Sequence, residues 1–220
     1  MFKISEQWKD FERPKGRGPK GREKDFADGA SIFLRLDDGA RCRLTSDLIR
    51  AWQCELPLNL AMASGALRQA WESEPYIGAI RCGSFVSKVA YDAGEDNDWT
   101  MDEFAEYWGP SLMTAEEQAK FEAMEFPLTV YRGGTGSIDE VAQGVSWTLD
   151  LEIARFYACD WPKRWGLERE PVIVSMRVER NDVFAFLDGR KESELLVPYA
   201  SLLRDAMNEV TDRGDVKLAG

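Results

Sequence analysis

The character of this sequence changes at Pro127, and no other feature constrains its fold as strongly. Ahead of that proline, apolar residues recur at helical spacing and helix caps stand where helices should begin. Leu60 to Trp71 reads as a helix, and Phe85, Val86, Val89 and Ala90 suggest one or two further helical turns. Two capping boxes follow. Thr100-x-x-Glu103 opens a helix stopped by Gly109-Pro110, and Thr114-x-x-Glu117 opens one stopped before Pro127. In each box the threonine hydroxyl accepts from an otherwise unpaired amide and the glutamate reaches back. Behind Pro127 the runs are short, apolar and β-prone: Leu128 to Tyr131, Val172 to Val178, Val183 to Leu187 and Glu194 to Val197. Leu151 to Ala158 is a helix among them, with Thr148 or Asp150 placed to cap it. Ser201 to Val210 is expected to form a final helix. Helices first and strands later describe an α+β fold.

The amino-terminal region divides in two. Residues 1–28 are expected to be a basic, flexible arm, because Gly and Pro interrupt any periodic pattern there. Its core, Arg13 to Arg22, is rich in Arg, Lys, Gly and Pro. The Gly16-Arg17-Gly18-Pro19 stretch resembles an AT-hook, with a glycine separating Arg from Pro. A solvated tail and a nucleic-acid-binding or partner-binding arm both stay open. Residues 29–125 form a mainly helical lobe that begins with an expected hairpin. In that hairpin Ile32, Leu34 and Leu36 alternate, Asp37-Asp38-Gly39 turns, and Cys42 and Leu44 return. Ser46 then caps a short helix. Residues 126–220 hold the strand-rich core and the last helix.

Composition narrows the chemistry. The formal net charge of -11 opposes general binding to nucleic acid, since phosphates would be repelled. The chain has no histidine, and none of Cys42, Cys54, Cys82 and Cys159 forms a C-x-x-C pair. The usual zinc sites and every Ser-His or Cys-His catalytic arrangement are thereby removed, and no metal is expected. Carboxylates, arginine, hydroxyls and aromatics remain. No apolar run approaches the roughly 20 residues of a membrane span, and the first residues lack the layout of a secretory signal. A soluble protein, cytoplasmic where it is made and without a membrane partner, is expected.

Three segments of the second half carry candidate chemistry. Val130-Tyr131-Arg132-Gly133-Gly134 ends a β-prone run on an arginine followed by two glycines. Guanidinium matches phosphate in fork geometry, and glycine lets a planar group approach the main chain. A surface arginine before a turn gives the same pattern. Gly144-Val145-Ser146-Trp147-Thr148 leads into the helix at Leu151. Ser146 is placed to orient a carboxylate, and Trp147 or Tyr157 to stack on an aromatic ring. A capped strand-to-helix junction explains this segment equally well. In Arg190-Lys191-Glu192-Ser193-Glu194, the two glutamates stand two apart at the start of a strand, which predicts side chains on one face. They suit steadying a developing positive charge or holding a cationic acceptor. A charged loop beside an edge strand is the plainer alternative.

Taken in order, Tyr131-Arg132-Gly133, Ser146-Trp147-Thr148 and Glu192-Ser193-Glu194 resemble the motifs of the R-S-E mono-ADP-ribosyltransferases. That class includes cholera-like and clostridial toxins and several bacteriophage enzymes. The resemblance covers about residues 126–199, including the Ala154-Arg155-Phe156-Tyr157-Ala158 helix. It departs from the common pattern at Trp147 and Thr148, where many relatives have Thr and Ser. The resemblance implies a small mixed or antiparallel β-sandwich core of ADP-ribosyltransferase type and NAD as cosubstrate. It further implies that Arg132 holds the NAD phosphates or ribose and that Gly133 bonds the nicotinamide amide. Ser146 would brace Glu194, Glu194 would bond the 2′-hydroxyl of the nicotinamide ribose, and Glu192 would orient the acceptor. Asp188 to Lys191 would lie in the loop that reads the target. A protein arginine is the favoured acceptor, and the basic arm keeps nucleic acid open. The implied setting is a phage or bacterial effector in a host cytoplasm. An NAD glycohydrolase and a non-catalytic interaction protein on the same scaffold are the alternatives.

Overall fold

A computed structural model describes residues 6–12, 19–53, 58–73, 112–198, 207–210 and 216–217. The chain divides into two units. One holds the described residues up to Ser73 together with Leu112–Ala115, and the other holds those from Glu116 onward. The first is helical and the second combines an antiparallel sheet with short helices, so the fold is α+β. No described helix is long and apolar enough to cross a membrane.

The described residues of the helical unit form a 3₁₀ stretch at Glu6–Glu12 and the helices α1 (Pro19–Leu34), α2 (Asp38–Gln53) and α3 (Leu60–Ser73). Its core gathers Trp8, Phe11, Phe33, Leu44, Leu48, Met62, Leu67 and Trp71. Three sequence expectations fail here: the arm, the hairpin and the Ser46 cap. The expected arm is already α1 from Pro19 onward, and the expected hairpin is the end of α1 plus the start of α2. Gly29 on α1 and Gly65 on α3 mark a close contact. A Cβ on Gly29 would lie 1.9 Å from the Met62 carbonyl oxygen, and one on Gly65 would lie 2.0 Å from that of Phe26. The α1 and α3 backbones therefore approach each other across paired glycines. That burial offsets the roughly 1 kcal/mol of helix propensity each glycine costs relative to alanine. The Asp37-Asp38-Gly39 turn signal is real, but it joins helices. Asp37 caps α2 by accepting from Ala40 N at 2.8 Å. Ser46 lies inside α2 and donates to the Cys42 carbonyl at 2.8 Å, so it is no cap. Asn59, hydrogen-bonded to Asp25, presents its side-chain oxygen to Met62 N at the start of α3. Arg13 to Gly18, Phe85 to Ala90 and the Thr100 box lie outside the described residues.

α4 (Ala115–Glu122), which belongs to the second unit from Glu116 onward, starts directly after Thr114, where the sequence pattern places a helix start. Strands β1 (Leu128–Thr135), β2 (Ser146–Thr148), β3 (Pro171–Val178), β4 (Ala185–Leu187), β5 (Glu194–Leu196), β6 (Asn208–Val210) and β7 (Val216–Lys217) follow. They join in one sheet ordered β4-β5-β2-β1-β3-β6-β7, and every pairing is antiparallel. β1 and β3 pair from Leu128↔Val178 to Thr135↔Pro171 and form the spine. Val172 to Met176 are buried without alternation, as suits a strand packed on both faces. The end of the expected helix Ser201–Val210 is instead β6, because Asn208 and Glu209 pair with Ser175 and Val174 on β3.

Short helices decorate this sheet. α5 (Ile138–Ala142) opens on a Ser137/Glu140 capping box. α6 (Leu151–Arg155) is capped by Asp150, which accepts from Glu152 N at 2.8 Å. α6 then widens into a π turn over Phe156–Asp160 before α7 (Trp161–Arg164). Such turns, rare overall, recur at functional sites. Ala154 and Ala158 bury against Ile173 and Val210, and Tyr131 packs beside them. Gly133 makes the approach possible, since a Cβ there would meet the Ala154 carbonyl at 1.7 Å.

Candidate functional site

The β2–β5 register builds the site. Thr148 lies opposite Glu194 and Ser146 opposite Leu196, so Ser146 is the diagonal neighbour of Glu194. The Ser146 hydroxyl donates to Glu194 Oε1. Glu194 is 3% exposed. A carboxylate buried that far demands compensation. Ser146 supplies one hydrogen bond, and Arg190 Nη2 supplies another to Oε2 at 3.2 Å.

Glu192 reaches the same place by a different route. Glu192 precedes β5 in a turn, and its neighbours Lys191 and Ser193 have φ of 58° and 45°. Left-handed backbone at two non-glycine residues costs on the order of 1–2 kcal/mol apiece. The extended, same-face geometry expected for the pair is therefore absent. Convergence comes from the bent turn. Thr148 Oγ1 donates to the Glu192 carbonyl at 2.6 Å and accepts from Asp150 N at 3.0 Å. Leu149 N donates to the Ser193 carbonyl at 3.1 Å. The Glu192 carboxylate takes the Tyr157 hydroxyl at 2.8 Å and Arg190 Nη2 at 2.8 Å. Tyr157 is donated by the π turn. Burial above all, and then the hydrogen bond to Glu192, pushes its phenol well above the usual range, so it remains a donor at neutral pH.

Arg132 sits on β1, half-buried, with its guanidinium laid over Gly144. A Cβ at Gly144 would meet Arg132 Cζ at 2.0 Å. Nε donates to the Val141 carbonyl at 2.9 Å and Nη1 donates to the Ser146 carbonyl. Two of the five guanidinium N–H donors are thus spent on main chain. Burial lowers the Arg132 pKa, opposed first by the charge of Glu194 and then by Tyr157. Arg132 therefore feels the carboxylate that Ser146 holds.

Of the residues singled out in the sequence, Arg132, Ser146, Thr148, Tyr157, Glu192 and Glu194 come together. Two others serve differently. Trp147 alternates with Ser146 along β2, is 1% exposed, and donates Nε1 to the Gly144 carbonyl at 2.9 Å. It is a core side chain, and no face of it is open for stacking on a cofactor. Gly133 is paired within β1 opposite Ile173, and α6 main chain fills its side-chain face, so helix packing accounts for the glycine.

Sequence reasoning placed Arg190 in a target-reading loop, Gly144 in a motif segment and Glu117 in a capping box, but missed what each does at the site. Glu117, buried on α4, accepts from Asp188 N at 2.6 Å, and Lys120 binds the Asp188 carboxylate at 2.9 Å. Together they anchor the start of the turn. Arg190 was legible as a cation two and four residues ahead of the glutamates. The local pattern marks Glu117 only as the glutamate of a capping box; its contact with Asp188, 71 residues away, has no local signal.

No protein-family model matches this chain, and no curated protein or solved structure matches it either.

Proposed function

We propose that the chain is an NAD-dependent mono-ADP-ribosyltransferase with an ADP-ribosyltransferase-type core. The observation that carries this reading is the hydrogen bond from Ser146 to the buried carboxylate of Glu194. Arg132 is tied to the same serine through its carbonyl, so three distant segments meet at one residue.

In the proposed reaction the bond between nicotinamide nitrogen and ribose breaks, and nicotinamide leaves with the electron pair as a neutral molecule. The ribose carbon gains oxocarbenium character, as in glycoside hydrolysis. Glu194, fixed by Ser146, stabilises that positive charge and bonds the ribose 2′-hydroxyl. The acceptor nitrogen attacks the same carbon, and Glu192 takes its proton. The donors of Arg132 not spent on main chain hold a phosphate or the ribose. No general acid is required, so a chain without histidine suffices. A protein arginine is the favoured acceptor, and a bacterial or phage effector acting in a cytoplasm is the setting.

The test is incubation of the purified protein with labelled NAD and a bacterial lysate, with Glu194→Ala as control. Label entering a macromolecule with the wild type alone supports transfer, and protease or nuclease digestion then names the acceptor class. Nicotinamide release without labelling would instead mean a glycohydrolase. Absence of both NAD binding and NAD turnover would leave a non-catalytic interaction protein.

A further inference from the structure

The carboxylate pair already holds a guanidinium. A single nitrogen, Arg190 Nη2, lies 2.8 Å from Glu192 Oε2 and 3.2 Å from Glu194 Oε2. We infer that Arg190 is an internal occupant of the acceptor subsite, and that an acceptor guanidinium enters by replacing it. This rests on the transferase reading for the word acceptor, but the guanidinium subsite itself does not.

Three observations carry the inference. Arg190 lies on the solvent side of the pair: its side chain is 32% exposed, against 19% for Glu192 and 4% for Glu194. Of the three groups Arg190 is the one most open to a solute and Glu194 the least. Next, the turn has anchors that do not involve the Arg190 side chain. Asp188 N is held by Glu117 and the Asp188 carboxylate by Lys120. Lys191 N bonds the Asp188 carbonyl, Thr148 holds the Glu192 carbonyl and Leu149 N holds that of Ser193. The side chain can therefore leave without releasing the main chain that carries the glutamates. Finally, exchange of like for like explains selectivity. Removing a cation from between two carboxylates leaves them desolvated and mutually repelling. Only a newcomer that restores both charge-assisted contacts recovers that loss. A planar guanidinium with several N–H donors does so better than an ammonium, and a neutral group does not do so at all. Arg190 thus acts as a specificity-determining residue.

The test uses the full chain without NAD and titrates agmatine, a small guanidinium compound, by calorimetry. Arg190→Ala is expected to bind agmatine about tenfold or more tightly than the wild type, because no internal competitor remains. Adding Glu192→Gln to that variant is expected to remove the gain. Arg190→Gln, neutral and of similar length, is expected to show the same gain, and it carries the test should the alanine variant not fold. Equal or weaker binding by the arginine variants overturns the inference, as does a gain that survives Glu192→Gln. Should NAD turnover be absent while the affinity gain appears, the transferase reading fails and the guanidinium exchange stands.

Discussion

β5 and the turn that precedes it each deliver one carboxylate to the site, and they do so by opposite means. Glu194 is the first residue of a paired strand, between Thr148 on β2 and Leu187 on β4, and is buried there. Its position is set by the sheet. Glu192 stands in a turn flanked by two residues of left-handed backbone, and is held by side chains from β2, the π turn and the turn itself. Its position is set by polar contacts. A charge that must meet a transition state needs fixed geometry, and a group that must meet variable acceptors needs a more exposed, adjustable one. In the proposed transfer the two glutamates would divide along that line.

The largest effect should come from breaking the fixed half. Glu194→Ala is expected to lower nicotinamide release from NAD by on the order of 10²–10³, by analogy with removing one fixed electrostatic donor. Steady-state assay of nicotinamide checks this. A loss below tenfold would show that the buried carboxylate is not the stabilising charge. Glu192→Gln should act differently on two readouts. Transfer to an acceptor is expected to fall by about 10² or more, the range of a lost general base, while nicotinamide release falls far less. Equal losses in both would erase the division between the glutamates. Ser146→Ala should cost about tenfold in nicotinamide release, since a hydrogen bond to a charged group contributes about 1.5–3 kcal/mol and Arg190 still holds Glu194.

Gly144→Ala probes the arginine rather than the glutamates. The colliding atoms belong to the far end of the Arg132 side chain, which can swing away, so the fold should survive. The guanidinium would lose its bonds to the Val141 and Ser146 carbonyls. A several-fold rise in KM for NAD with a small change in Tm is expected. An unchanged KM would mean that the position of Arg132 does not serve NAD.

What the sequence made legible follows from range. The strands around Leu128–Tyr131, Val172–Val178, Ala185–Leu187 and Glu194–Leu196, the helix start after Thr114, the cap at Asp150 and the meeting of Arg132, Ser146 and Glu194 were readable, because each rests on local patterning or on ordered motifs. The failures are all tertiary. Residues 19–28 look like a broken, mobile arm until α1 is seen packed against α3, with Gly29 and Gly65 at the contact. Trp147 looks like a stacking ring until β2 turns it into the core. Glu192 looks extended until Lys191 and Ser193 are found with positive φ. Asn208 and Glu209 continue a helical pattern until β3 offers them an edge.

The smallest expected effect concerns Tyr157, which couples the adjustable glutamate to the π turn. Its phenol is raised above the ordinary value near 10, with burial the main cause and the hydrogen bond to Glu192 second. A raised acid pKa means the folded state keeps a proton that the unfolded state releases. The associated stability is fully present below about pH 10, and it declines as pH climbs from there towards the higher folded value. Tyr157→Phe cannot ionise in either state, so it should flatten the alkaline fall in stability while leaving the curve below pH 9 parallel to wild type. Denaturant midpoints measured from pH 8 to 11 check this. The same variant also loses one of the two side-chain contacts on the Glu192 carboxylate, and a two- to threefold loss of transfer is expected with nicotinamide release unchanged. A steeper alkaline fall in the variant would mean that the phenol ionises in the folded protein, and that Glu192 is steadied by Arg190 instead.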